Sequence, residues 1–135
     1  MKKKHLNVVA AVITQSDNIY CFKKGHSKYE YLSNKFEFPG GKIEKGEKKA
    51  DALIREIKEE LEINITIKNE LIVFDYEYPD FSLTMTGFLC TANSAKFKLV
   101  DHVLVLKKKV SELRQLEWLP ADMPIISALE IYKNG

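Results

Sequence analysis

Apolar residues occur in short runs along most of the chain, separated by turns rich in Gly, Pro, Asn, Asp and Ser. Runs of β-branched and aromatic residues are typical of strands, and two such runs around a turn indicate a hairpin. The turn at 16–18 and the polar loop at 25–34 separate the first strands. Pro39-Gly40-Gly41 ends the third strand, because this tripeptide does not readily continue one. The predicted strands are 6–14, 19–23, 36–38, 63–74, 82–92 and 97–106, the last interrupted near Asp101.

Residues 48–61 have the spacing of an amphipathic helix, with apolar side chains on one arc of roughly 100°. A closing helix is predicted after Asp122, a natural N-cap, with Pro124 tolerated in the first turn, and 111–113 begin a short helical turn. Strands on both sides of a central helix predict a mixed α/β domain rather than the βαβ order of dinucleotide-binding folds. The apolar arc of the central helix consists of Ala50, Leu53, Ile54, Ile57 and Leu61.

Three glutamates, Glu56, Glu59 and Glu60, lie on a second arc beside the apolar one, at spacing i, i+3 and i+4. Like charges at this spacing destabilise a helix by roughly a few tenths of a kcal/mol per pair. One interpretation is a solvated helix face. The other is a site for a hard divalent cation such as Mg²⁺, which binds carboxylates and substrate phosphates. The preceding Gly40-Gly41 lets the backbone approach a ligand closely, which favours a cation site.

Composition restricts the classes of function. The chain has 135 residues, 45% of them hydrophobic, which predicts one domain over residues 1–135. A net charge of +2 with scattered lysines argues against binding of nucleic acid polymers. Cys21 and Cys90 lie in separate apolar runs. This predicts buried free thiols and a reducing compartment. The N-terminal apolar run lacks a cleavage site and no run is long enough to span a membrane, so the sequence predicts a cytoplasmic protein.

The segment from Gly41 to Ile63 resembles the Nudix box, G-x5-E-x7-R-E-U-x-E-E-x-G-U with U a bulky apolar residue, at eight of its nine fixed positions. The exception is Glu62, where the family has Gly; Glu costs about 1 kcal/mol there if φ is positive, or the helix ends differently. NKFEFPGGKIEKGE, YEYPD and LPADMPII are similar to MutT-like nucleoside triphosphate pyrophosphohydrolases, including the CTP-type branch. The matching box residues are Gly41, Glu47, Arg55, Glu56, Ile57, Glu59, Glu60 and Ile63.

This resemblance implies the Nudix fold, an α/β/α sandwich with a mixed sheet. It also implies Mg²⁺-dependent hydrolysis of a nucleoside triphosphate to monophosphate and pyrophosphate, with Mn²⁺ able to substitute. Glu59 and Glu60 are the implied metal ligands, together with the carbonyl group of Gly40. Glu56 is a further ligand, or the group that orients or deprotonates the attacking water.

Further residues are expected to support the metal site. By the same resemblance, Arg55 pairs with Glu47 or Glu56 and holds the site together. Gly41 and Glu47 are structural members of the motif. Asp101 lies where similar sequences have Glu, and it is either an additional metal ligand or an ordinary loop residue.

Substrate contacts are implied outside the box. Lys24 lies where relatives carry an Arg that contacts phosphate or base, and the alternative is a surface lysine. Asp122 aligns with a residue that reads the base edge; if ionised it only accepts, which favours an exocyclic amine such as that of cytosine. The alternative is a helix cap only. Phe38 and Tyr78 are candidates for stacking on a base, or core aromatics. Phe81 replaces an Arg of guanine-specific members, which argues against a strict copy of oxidised-guanine recognition.

Three interpretations of function remain open. The first is a pyrophosphohydrolase of (d)CTP-like or oxidised nucleotides, as in cleaning of the nucleotide pool. The second is a Nudix hydrolase of nucleoside diphosphate sugars or dinucleotides such as ADP-ribose, and the third is a non-catalytic nucleotide sensor. The intact glutamates favour an enzyme, and the chain length favours triphosphates. The expected partner is a small nucleotide bound by a monomer or homodimer, and the isolated His5, His26 and His102 are assigned no role.

Overall fold

A computed structural model describes residues 3–134, which form seven strands and two α-helices. None of the helices in this range is long and apolar enough to cross a membrane. Short 3₁₀ turns lie at Glu30–Leu32, Val110–Gln115 and Pro120–Asp122. The strands are β1 (Lys4–Gln15), β2 (Asn18–Lys24), β3 (Phe36–Glu37), β4 (Gly40–Lys42), β5 (Ile65–Glu77), β6 (Phe81–Ala92) and β7 (His102–Lys109); the helices are α1 (Lys49–Leu61) and α2 (Met123–Asn134).

The strands form one mixed sheet in the order β3-β2-β1-β6-β5. β1 pairs in parallel with β6 from Lys4 to Thr14, whereas its pairings with β2 and β4 are antiparallel. β7 pairs with β2, and β5 pairs with β6. The predicted mixed sheet is therefore confirmed, with the long first strand at its centre.

Side chains of β1 alternate between two buried layers, because successive residues of a strand point to opposite faces. Val9, Ala11 and Ile13 pack in the cluster that contains the apolar side of α1. Ala10 and Val12 pack in the cluster that contains the buried residues of α2. One helix thus covers each face of the sheet, which confirms the predicted α/β/α sandwich.

Both cysteines are buried and free, as predicted. Cys21 packs in the cluster on the α2 face, and Cys90 packs in the cluster on the α1 face. Burial raises the pKa of each thiol to about 12. Because the thiolate is the reactive form, both thiols are chemically inert at neutral pH.

The third strand ends before Pro39, as predicted, but Gly40 and Gly41 belong to a further strand, β4, which was not predicted. Gly40 pairs with Ala10 of β1, and the amide of Ala11 donates to the carbonyl of Pro39 at 2.8 Å. A Cβ atom on Gly40 would overlap the carbonyl oxygen of Val9. Glycine is therefore needed at position 40 because no side chain fits there, and not because the backbone turns.

The predicted strand at 97–106 is correct only from His102 onward. The amides of Lys98 and Val100 donate instead to the carbonyl groups of Leu61 and Glu60, at 3.0 and 3.3 Å. These carbonyls belong to the last turn of α1, where the helix itself supplies no N–H donors for them. Residues 97–101 therefore cap the end of α1, and they bring the loop that carries Asp101 to the glutamates.

Helix α1 is rotated relative to its predicted apolar arc. Ile54 is 42% exposed, whereas Ala52, on the other side of Leu53, is fully buried. At about 100° per residue, the buried arc is displaced by roughly 60° toward the glutamates. Glu56 and Glu60 consequently face inward and are partly buried. The fold thus exposes an isoleucine while it partly buries two carboxylates.

Glu62 ends α1 in the left-handed conformation, with φ 53° and ψ 41°. Its amide donates to the carbonyl of Lys58 at 3.1 Å, and its carboxylate lies 3.2 Å from the ammonium group of Lys98. Helices commonly end on a left-handed residue, usually Gly, because Gly carries no Cβ penalty there. Of the two outcomes foreseen for Glu62, positive φ is the one observed.

Replacing Glu62 with Gly is expected to raise the free energy of unfolding by about 1 kcal/mol, or the melting temperature by about 3 °C, because it removes the left-handed strain. The matched control is Glu62→Ala, which removes the exposed ion pair to Lys98 but keeps the Cβ atom. Chemical denaturation of the three proteins measures the difference. A glycine variant no more stable than the alanine variant would show that the conformation costs nothing.

Candidate active site

Arg55, in the middle of α1, is the centre of a network of carboxylates. Its guanidinium group donates two hydrogen bonds to Glu47, from Nε at 2.6 Å and from Nη2 at 3.0 Å. Nη1 donates to Glu56 at 2.9 Å and lies 3.3 Å from Glu59. Nη2 also donates to the carbonyl of Lys42 in β4, at 3.1 Å. Arg55 therefore joins the loop, the helix and the sheet edge.

The two-bond contact with Glu47 is the strongest part of this network. Arg55 holds the pKa of Glu47 at about 2, well below its usual range, and the carboxylates raise the pKa of Arg55 in return. Glu47 also accepts a hydrogen bond from the amide of Glu44 at 2.9 Å. The loop before α1 is thus pinned to the helix, because charge-assisted paired bonds fix orientation as well as distance.

Glu60 lies among negative charges. Its pKa is raised to about 9, chiefly by burial and in addition by the charges of Glu37, Glu56 and Asp101. Buried carboxylates that crowd together need a cation or a proton. This crowding fits a divalent metal ion, for which carboxylate oxygens are the preferred ligands.

The predicted metal ligands differ in their exposure to solvent. Glu56 is 17% exposed, whereas Glu59 is 59% exposed and contacts Arg55. Asp101 lies in an exposed bend just before β7. Within residues 3–134, no group of three or more His, Cys, Asp or Glu side chains already has the arrangement of a metal cage. Metal ligation by these residues and by the Gly40 carbonyl therefore stays a prediction.

Gly41 lies directly against the Glu56 carboxylate. A Cβ atom at this position would overlap both the carboxyl carbon and its oxygens. Gly41 pairs with Val9 in the sheet and does not have positive φ. Its role is therefore to leave space for Glu56 beside β4.

A pocket of about 190 Å³ opens next to these glycines. Its lining includes Gly40 and Gly41 of β4, Glu37 of β3 and Asp122 of the turn before α2. Its other walls include three of the residues assigned to the substrate, namely Lys24, Phe38 and Tyr78. A wider groove of about 780 Å³ runs between β5 and α2, but it contains none of the predicted site residues.

Asp122 is 3% exposed and forms part of the wall of this pocket. Burial raises the pKa of its carboxyl group well above the usual range, and the charge of Glu37 adds to the effect; Lys24 acts in the opposite direction. A raised pKa favours the protonated carboxyl group over the ionised form, on which the interpretation of Asp122 as an acceptor only depends. A protonated carboxyl group both donates and accepts.

The two candidate stacking residues are both buried, and both line the pocket. Phe38 stacks on Trp118, with ring centroids 4.7 Å apart, and the indole of Trp118 donates to the carbonyl of Leu113 at 2.7 Å. The hydroxyl of Tyr78 accepts a hydrogen bond from the amide of Ala121 at 3.0 Å. These contacts hold both rings in fixed orientations at the pocket wall.

Sequence reasoning missed two residues of this region, Glu37 and His102. His102 is buried and its Nε2 lies 2.9 Å from the Glu37 carboxylate, so it is not an isolated histidine. Alternation in β3 was a usable signal for Glu37, because Phe36 and Phe38 point to one face and Glu37 to the other. Nothing comparable marks His102, whose burial depends on where β7 begins.

Comparisons with known proteins agree with this geometry. A model of the NUDIX domain matches residues 3–132. The 8-oxo-dGTP diphosphatase of Proteus vulgaris is 35% identical over 91 residues, which cover 67% of this chain and 80% of that protein. The CTP pyrophosphohydrolase of Escherichia coli K12 is 26% identical over 125 residues, covering 93% and 91%. The solution structure of the protein MutT from methicillin-resistant Staphylococcus aureus matches with a TM-score of 0.75 and 34% identity, covering 99% and 100%.

The prediction drawn from the Nudix box is thereby confirmed at the level of the family. The match extends over nearly the whole described chain, from β1 to α2. One edge of the sheet brings together the box glutamates, Arg55 and the glycine pair. The adjacent pocket is lined by both charged and aromatic side chains. The chain belongs to the Nudix family and is a Nudix hydrolase.

Proposed function

We propose that this protein hydrolyses nucleoside triphosphates to monophosphates and pyrophosphate with the aid of Mg²⁺. The observation that carries the proposal is the pocket that joins the glycine pair beside Glu56 to the buried Asp122. Phosphates at the first end would lie beside the glutamates of α1, and a base at the second end would lie between aromatic walls.

Glu56, Glu59 and Glu60 would hold the metal ion, with the carbonyl of Gly40 and with Asp101 as further candidates. When bound, a divalent cation neutralises phosphate charge and lowers the pKa of bound water. Arg55 keeps Glu56 and Glu59 in position through the bonds described above. Mn²⁺ has the same preference for oxygen ligands and would substitute.

The base end of the pocket offers two carboxyl groups of different character. Protonated Asp122 can donate to a ring nitrogen and accept from an amine, whereas Glu37, if ionised, only accepts. Lys24 lies on this side, since its charge acts on Asp122. Cytosine, adenine and guanine each carry an exocyclic amine, whose N–H groups can donate to the carboxyl groups of Asp122 and Glu37. Uracil and thymine offer one ring N–H and lack the amine.

The named activities of the relatives support the same class of substrate. Oxidised dGTP and CTP, the substrates in the two relatives' names, both carry an exocyclic amine. Phe81 stands where guanine-specific members carry an Arg. The lack of this Arg argues for CTP rather than oxidised dGTP as the guide to the substrate. We therefore propose amine-bearing nucleoside triphosphates as substrates, with cytidine nucleotides preferred.

The proposal is tested with a panel of canonical and oxidised (d)NTPs and ADP-ribose, with and without Mg²⁺, measuring pyrophosphate and phosphate separately. We expect Mg²⁺-dependent pyrophosphate release, with cytidine nucleotides cleaved at least about tenfold faster than uridine nucleotides, since one lost base hydrogen bond is worth that much. Glu59→Gln is the control, because Glu59 is exposed and we expect its substitution to leave the fold intact.

Other results have distinct meanings. Cleavage of ADP-ribose alone would replace the triphosphate proposal with the dinucleotide alternative. Equal rates for cytidine and uridine nucleotides would contradict the assignment of Asp122 and Glu37 to the base. Release that Glu59→Gln leaves unchanged would show that hydrolysis takes place elsewhere.

A further inference from the structure

His102 and Glu37 form a buried pair outside the Nudix box. The His102 side chain is 0% exposed, and its Nε2 lies 2.9 Å from Oε2 of Glu37. The two residues come from β7 and β3, which both pair with β2. The imidazole also packs against the ring of Phe22 in β2, with centroids 5.4 Å apart.

The chemistry of the pair fixes the direction of the hydrogen bond. A carboxylate only accepts, so Nε2 of His102 must carry the proton and donate. The other ring nitrogen, Nδ1, is buried and has no hydrogen-bond partner among the described residues. Among the described residues the imidazole therefore hydrogen-bonds only to one oxygen of Glu37, while burial against Phe22 holds the ring in place.

Glu37 lies between the two ends of the pocket. Its charge acts on Glu60 at the metal end and on Asp122 at the base end. A free glutamate at this position could turn toward either end, and at the metal end it would add a further carboxylate to those beside Glu60. The hydrogen bond to a buried, immobile imidazole removes this freedom.

We propose that His102 is a positioning residue that holds the Glu37 carboxylate in place in the pocket, where Glu37 helps to select amine-bearing bases. The inference rests on the proposed function, since it assigns a residue to base selection. His102 itself touches neither substrate nor metal. It acts through Glu37, and the expected signature is a change in substrate preference rather than in the rate of chemistry.

The test compares His102→Leu, which removes the donor but fills the space, with His102→Gln, which retains an N–H donor. For His102→Leu we expect the KM for a cytidine nucleotide to rise about tenfold, with kcat within about threefold of the wild type, as for one lost positioning bond. The KM for a uridine nucleotide should change less. The ratio of kcat/KM for cytidine over uridine nucleotides should therefore fall. His102→Gln should recover most of the preference, and Glu37→Gln combined with His102→Leu should add little to either change.

A second measurement is independent of turnover and of metal. In ¹⁵N-labelled wild-type protein, the ring of His102 should show a proton on Nε2 that exchanges slowly with water, and Glu37→Gln should shift that resonance. Failure of the wild type to cleave any nucleotide would count against the proposed function, while this resonance and binding of a cytidine monophosphate would still test the positioning role. Unchanged preference in His102→Leu, equal losses for both nucleotides, or a resonance insensitive to Glu37→Gln would overturn the inference.

Discussion

Glu60→Gln is expected to lower Mg²⁺-dependent hydrolysis by about 10³-fold or more and, at the same time, to stabilise the metal-free protein. The loss of activity follows because a neutral amide replaces a carboxylate in the proposed metal site, where the ion supplies several kcal/mol to the transition state. The gain in stability follows because the amide is neutral without taking up a proton, which Glu60 must do to be neutral at its partly buried position among Glu37, Glu56 and Asp101.

The stability effect has a defined pH window. The pKa of Glu60 is about 9 in the folded protein and about 4.5 in an unfolded chain. Between these values the folded state holds a proton that the unfolded state releases, so rising pH favours unfolding. The free energy of unfolding of the metal-free wild type should therefore fall from pH 4.5 to pH 9. At pH 8, Glu60→Gln should be more stable by about 1–3 kcal/mol.

Urea denaturation in EDTA at several pH values, together with the hydrolysis assay, measures both effects. Glu59→Gln is the matched control, because Glu59 is exposed and should lose activity without gaining stability. A Glu60 variant whose stability follows the wild type at every pH would mean that Glu60 is not confined among negative charges. A variant that retains full activity would exclude Glu60 as a metal ligand.

The second large effect separates two neighbouring glycines. Gly40→Ala should destabilise the protein by about 3 kcal/mol or more, because the new methyl group overlaps the backbone of β1 at Val9. Gly41→Ala should leave most of the stability intact but lower activity about 10²-fold, because its methyl group displaces the Glu56 carboxylate, and small displacements of catalytic groups are costly.

Melting temperatures and kcat/KM of the two variants, measured side by side, decide this prediction. Each variant is the control for the other, since both add one methyl group to the same strand. If both lose stability equally and keep their activity per folded molecule, Gly41 has no special relation to Glu56. If Gly40→Ala has the melting temperature of the wild type, Gly40 is not needed for the close pairing of β4 with β1.

The order of the main elements was predictable because each depends on local pattern. The first strand reads as a buried run, and the central helix has clear spacing from residue 48 to residue 61. The Nudix box was recognisable for the same reason, since its residues lie within one loop and one helix. These features require no knowledge of which elements are neighbours in space.

The missed features all depend on distant contacts. Ile54 is apolar, and only the packing of α1 on the sheet shows that it is exposed while Glu60 is partly buried. The segment at 97–101 has a strand-like pattern, but its amides bond to the end of α1. His102 meets Glu37 across 65 residues of sequence. No local pattern contains these pairings, so hydrophobic periodicity could not reveal them.

The central claim is that the partly buried carboxylates of α1 bind a divalent cation beside the nucleotide pocket. Mn²⁺ titration followed by electron paramagnetic resonance tests it directly, because free Mn²⁺ gives a signal that is lost on binding. The wild type should bind Mn²⁺, more tightly when a non-hydrolysable nucleoside triphosphate is present, and Glu60→Gln should weaken binding at least about tenfold. Equal binding of Mn²⁺ by the wild type and Glu60→Gln would contradict the assignment of this site.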